Sequence, residues 1–144
     1  MSVLSARVKV ATLTISGTEL IAIFGTPLTI VPAPGAGKIA VPITAHCRLQ
    51  RGTTAYSASE NLTIKWSGIA TNLIQSVTIL LANGPGGVLD QFFNAARLST
   101  LTLTAGVDPS NRAIQVSLQN DVNAGSASDT LKVVLLYEEV PSLY

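Results

Sequence analysis

One cysteine and one histidine in 144 residues remove most of the chemistry that side chains can perform. A lone cysteine forms no internal disulfide and supplies no zinc or iron–sulfur cluster. A lone histidine leaves any serine or cysteine nucleophile a single candidate base. Charge is also sparse: Asp, Glu, Lys and Arg make up 12% of the chain, about half the share usual in a soluble domain. Nine Lys and Arg against eight Asp and Glu give a net charge of +1, and the nine are scattered from Arg7 to Lys132 with no two adjacent. A nucleic-acid binder concentrates such charge on one face, so DNA and RNA are not expected partners. The longest apolar runs, such as Leu20 to Phe24 and Val77 to Ala82, fall far short of the roughly 20 residues of a membrane helix. Met1 to Ala6 lacks the basic start and apolar centre of a secretion signal, which predicts synthesis in the cytoplasm.

What the chain does have is alternation. Ile39, Val41, Ile43, Ala45, Cys47 and Leu49 put an apolar side chain at every second position, directly after the turn-rich run Pro32 to Lys38, and that is the period of a half-buried strand. Leu62, Ile64 and Trp66 repeat the pattern, as do Ile114, Val116 and Leu118, and then Leu131, Val133, Leu135 and Tyr137. In the last of these Val134 and Leu136 make the opposite face apolar as well, which predicts a central or covered strand. Between Arg7 and Ser16 the apolar phase flips from Val8 and Val10 to Leu13 and Ile15, predicting a β-bulge near Ala11 or Thr12. Ser16-Gly17-Thr18-Glu19 has the form of a helix capping box, followed by one or two turns before a strand at Leu28 to Val31. Asp90 to Arg97 reads as a short helix, Leu98 to Leu103 as a strand, and Ile69 to Ala82 fits either period. The whole predicts an all-β fold: a jelly-roll-like two-sheet sandwich or flattened barrel with one or two short helices. Residues 1–144 form a single domain in this reading, with flexible ends at 1–6 and 140–144.

Few residues invite a chemical role. Cys47 falls on the apolar phase and reads as a small buried hydrophobe, while alternation sends the neighbouring His46 to the other face, so the two form no catalytic dyad. Pro34-Gly35-Ala36-Gly37-Lys38 has the look of a phosphate loop, but Pro32 stands where its first glycine belongs and Ile39 where a magnesium-binding hydroxyl belongs; it reads as a hairpin turn. Asn61-Leu62-Thr63 matches a glycosylation sequon in a chain without a signal. The carboxylates are spread over separate segments, and Asp121, Asn123 and Asp129 lack the spacing of a calcium loop. No catalytic, cofactor-binding or metal-binding residue is expected. Tyr56, Asn61, Asp121 and Asn123 offer loop groups for an alternative role in sugar binding, whereas Trp66 is in phase with the core. The candidate contact residues are Val134 and Leu136 on the last strand, with Val3, Leu4, Leu143 and Tyr144 as apolar groups at the ends.

A family resemblance extends this reading. Thr29 to Val41, with its Pro-Ala-Pro-Gly-Ala-Gly-Lys core, then Gly52-Thr53-Thr54-Ala55-Tyr56 and Leu62-Thr63-Ile64-Lys65-Trp66, resemble small virion proteins of tailed bacteriophages. Gln119-Asn120, Gly125 and Thr130-Leu131-Lys132-Val133-Val134 are similar to the same group, so the likeness spans most of the chain from Thr29 to Tyr137. It implies a capsid decoration, or cement, protein: a non-enzymatic jelly-roll domain, made in the host cytoplasm, that sits as a homotrimer on the capsid exterior. Its partners are then itself and the major capsid protein, with no cofactor, nucleic acid or membrane. The alternative it implies is a tail-fibre or adhesin module gripping a host-surface glycan.

Overall fold

Alternating strands become a fold only through their partners, and here every pairing is antiparallel and most join segments far apart in the chain. The computed structural model describes residues 7–52, 54–70, 72–75, 87–94 and 107–143. It contains β1 (Val8–Ser16), α1 (Gly17–Ala22), β2 (Leu28–Val31), β3 (Lys38–Arg51), β4 (Leu62–Trp66), β5 (Asn72–Gln75), β6 (Gly87–Asn94), β7 (Ile114–Leu118) and β8 (Thr130–Pro141). One sheet runs β1-β8-β3-β6 and the other β2-β7-β4-β5. Two four-stranded sheets interleaved in this order are a jelly roll, so the all-β sandwich read from alternation is the observed fold.

The core lies between the sheets and is filled by the phases the sequence marks. Leu131, Val133 and Leu135 of β8 and Ala45, Cys47 and Leu49 of β3 face Ile64, Trp66, Ile114 and Val116 of the second sheet in one buried cluster. Trp66 is buried whole, and its indole N–H donates to the Ala40 carbonyl at 2.8 Å, so the one polar atom of a large core side chain ties the two sheets together. Burial also pushes the Cys47 thiol up to about 12, leaving it an inert hydrophobe. The capping box forms as its sequence predicts: Ser16 Oγ accepts from the Glu19 amide and the Glu19 carboxylate accepts from the Ser16 amide. This fixes α1 across one end of the sandwich, where Leu20 and Ile23 are fully buried.

Four expectations are corrected. β1 carries no bulge: its register with β8 runs unbroken from Val8 to Ser16. The register shifts lie instead between Pro42 and Thr44 of β3, between Thr29 and Val31 of β2 and beside Ile64. The turn before Lys38 joins no hairpin, because β2 and β3 belong to different sheets; Gly35 and Gly37 adopt positive φ of 104° and 72° as the chain crosses between them. Residues 90–94 are strand rather than helix, since β6 pairs with β3 over eight positions and that ladder outweighs local preference. The last strand continues through Pro141, which pairs with Lys38, and the Ser142 amide donates to the Gly37 carbonyl at 2.8 Å. Residues 140–142, expected to be a flexible end, are instead tied to β3 and the turn before it. The strand expected over Leu98 to Leu103 lies outside the described residues, as does most of Ile69 to Ala82, of which β5 is extended. Among the described residues no helix is long and apolar enough to cross a membrane.

Candidate interaction face

The flip of phase in β1 has a cause other than a bulge. Leu13 and Ile15 point into the core, while Val8 and Val10 stay in register on the outer face, 45% and 66% exposed. Beside them on β8, Val134 and Leu136 are only half-buried, although their strand is flanked on both sides. The register assembles rows across three strands: Val10, Leu136 and Thr44, then Thr12, Val134 and His46. Ile43, the residue left over at the β3 bulge, adds a further apolar side chain at 38% exposure. One edge of this band is a basic row, Lys132 beside Arg48, both exposed; Glu138 marks the opposite edge. Apolar surface of this kind on a sheet face makes it the candidate face for contact with another chain.

Val134 and Leu136 thus stand where alternation predicted, and the structure adds Val8, Val10 and Ile43. The signal that reveals Val8 and Val10 in the sequence is the phase flip itself. Leu143 is 99% exposed, while Val3, Leu4 and Tyr144 lie outside the described residues.

The sugar-binding set does not come together as expected. Tyr56 is buried at 3% exposure with its hydroxyl donating to the buried Asp129 carboxylate, so its ring offers no stacking face. Asn61 donates from its side chain to Gln119 at 3.0 Å and the Asn123 amide to Ser57 Oγ at 2.8 Å, leaving Asn123 and Asp121 on exposed loop while the Tyr56 ring face is buried. His46 sits half-buried on the outer face, opposite the buried Cys47, as alternation requires. Among the described residues no group of three or more His, Cys, Asp or Glu could hold a metal ion. What this surface can do chemically is exclude water against a matching surface.

No known protein family matches the sequence, and no curated protein matches it. Solved structures do. A chain of the cyanophage Pam1 capsid asymmetric unit superposes with a TM-score of 0.56 at 18% identity, covering 91% of this chain and 84% of its own. A chain of the capsid of Ralstonia phage GP4 superposes with a TM-score of 0.50 at 18% identity, covering 99% and 90%. The likeness is one of fold. It extends over nearly the whole length of each chain, so the jelly roll is shared as a unit rather than through one hairpin.

Proposed function

We propose that this chain is a non-enzymatic virion structural protein, a decoration or cement protein that binds the outside of a phage capsid as a homotrimer and stabilises contacts between capsomers. The observation that carries the reading is the apolar band on a sheet whose other face is already the core, with Val8, Val10 and Ile43 exposed and Val134 and Leu136 half-buried beside them. A chain with 12% charged residues has little with which to solvate such a face. The fold shared with two phage capsid structures supports the setting. In this reading the protein is made in the host cytoplasm and acts as a single β-sandwich module. The band is buried between protomers, and the chain ends, Val3, Leu4, Leu143 and Tyr144, lie against the major capsid protein on the shell exterior. Each apolar Å² removed from water contributes about 25 cal/mol before ordering costs. Binding the assembled shell but not its separated subunits then stabilises the shell by RT ln(1 + [L]/Kd), about 2.7 kcal/mol per site at a hundredfold excess over Kd.

Val10→Glu and Leu136→Glu test this. Val10 is largely exposed, so its substitution is expected to leave Tm unchanged while light scattering shows the trimer replaced by monomer and electron cryo-microscopy shows decoration of shells lost. A wild-type chain that stays monomeric and leaves shells bare, or a Val10→Glu chain that decorates them as well as wild type, overturns the proposal.

A further inference from the structure

Along the first sheet the inner phase changes chemistry. The rows Ile15–Leu131–Leu49, Leu13–Val133–Cys47 and Ala11–Leu135–Ala45 are apolar; after them Lys9 stands beside Tyr137 and Pro42, Glu139 beside Ala40, and Pro141 beside Lys38. Arg7 precedes Lys9 by two positions and Gly37 precedes Lys38 in the crossing turn. Together they line an open cleft of about 510 Å³, within the size range of ligand sites. Three cations face one carboxylate there, a net charge of +2 on a chain whose total is +1. Lys9 donates to Glu139 at 2.8 Å, and the Lys9 hydrogen bond, together with the Lys9 and Lys38 charges, holds the Glu139 carboxyl below its ordinary range. One ion pair therefore leaves two positive charges over in the cleft.

The cleft adjoins an open strand edge. β1 is the outermost strand of its sheet and, among the described residues, pairs on one side only, over nine positions without proline or bulge. Such an edge accepts an added strand through its free N–H and C=O groups. In a strand laid on β1, residues two apart share a face, so acidic side chains at alternate positions would reach Arg7 and Lys9 together, with Lys38 across the cleft. We propose that the cleft and the β1 edge together form a binding site for an extended, acidic segment of another polypeptide chain. A free phosphate fits less well: Glu139 inside the cleft repels a dianion more than single carboxylates, and phosphate makes no use of the strand edge. The proposal goes beyond the capsid reading and stands without it.

Amide NMR titration tests it with a short Thr-Glu repeat peptide, its Thr-Gln counterpart, inorganic phosphate and citrate. The Thr-Glu peptide is expected to shift the amides of Gly37, Lys38 and the length of β1, and to bind more weakly as salt rises. The Thr-Gln peptide is expected to bind about tenfold or more weaker, a difference of about 1.4 kcal/mol. The double variant Arg7→Glu with Lys38→Glu is expected to lose the acidic peptide by a similar factor and to take a Thr-Lys peptide instead; both residues are exposed, so folding is retained, and Lys38→Gln serves as the milder control. The proposal fails if the Thr-Glu peptide leaves β1 unshifted, if phosphate or citrate matches it in affinity, or if the charge-reversed variant binds it unchanged.

Discussion

The two ends of the sandwich are finished by different chemistry. At one end the inner phase stops at Leu131 and Leu49, α1 closes over it, and the chain leaving β3 meets the chain entering β8 in a buried polar knot. There Asp129, 2% exposed, accepts from the Gly52 amide and from the Tyr56 hydroxyl, while Ser126 and Ser128 share a hydrogen bond of 2.7 Å beside it. Burial first, and the Asp129 contact second, push the Tyr56 phenol well above its ordinary range, so it remains a donor at every pH at which the protein is handled. At the other end the same phase runs out into Lys9, Glu139 and Lys38 around water. A closed end whose buried carboxylate accepts two hydrogen bonds stabilises the fold; an open end with charge in excess is exposed for a partner to meet. Substitutions at the two ends should therefore separate stability from contact.

The largest effect is expected at Asp129→Ala, which leaves the half-buried Gly52 amide and the buried Tyr56 hydroxyl without their shared acceptor. Each orphaned donor costs about 1–3 kcal/mol, so a loss near 3 kcal/mol and a fall in Tm of about 10 °C are expected in thermal unfolding followed by circular dichroism. Asp129→Asn keeps one acceptor oxygen and should recover about half of that. Equal loss in both variants would mean that volume or charge, rather than hydrogen bonding, holds the knot.

A smaller loss is expected from Gly17→Ala. Its Cβ would collide with the backbone carbonyl of Ser126, a neighbour that cannot rotate away, so α1 or the loop must move at a cost of about 2 kcal/mol. Gly25→Ala is the matched control, because its Cβ would meet nothing closer than the Ala22 carbonyl at 3.9 Å. Urea midpoints that fall equally in the two variants would show that the closed end does not depend on this close approach.

These ends were unequally legible in the sequence. The capping box is a local pattern, and local patterns survive folding, which is why Ser16 and Glu19 do what their spacing predicts. The β8 alternation and the Ala45 to Leu49 half of β3 were legible for the same reason, whereas the register shift at Ile43 leaves that side chain outside and brings Ala40 rather than Val41 into the core cluster. Asp129 and Tyr56, by contrast, meet across 73 positions of chain, and nothing near either residue announces the other. Tyr56 in a polar loop therefore looked like a sugar platform and proved to be core. Residues 90–94 looked helical because a single strand shows only its own propensity, not the eight-position ladder with β3 that overrides it. The β1 flip was visible but ambiguous, since alternation reports which side chains are apolar and not which face is covered. A bulge would have turned Val8 and Val10 inward; the unbroken register leaves them outside, as the band argued above.

The smallest effect on the fold belongs to the open end, and pH reads it. Glu139 carries a carboxyl held below its ordinary 4.5, first by the Lys9 hydrogen bond, which outweighs the opposing desolvation, and then by the Lys9 and Lys38 charges. A depressed carboxyl contributes stability that is present above the unfolded value and is lost as pH falls through the folded one, so the contribution lies above about pH 4.5 and disappears on acidification. The pair is on the surface, where water and salt screen it, and Lys9→Met is therefore expected to leave Tm at pH 7 unchanged. The same substitution removes the first and strongest partner of Glu139, so in a carbon-detected titration the midpoint of its carboxyl should rise toward 4.5. High salt on the wild-type chain should move it in the same direction by screening Lys38 as well. If Lys9→Met instead lowers Tm as far as Gly17→Ala does, the open end is holding the sandwich together, and its charges are structural rather than free for a partner.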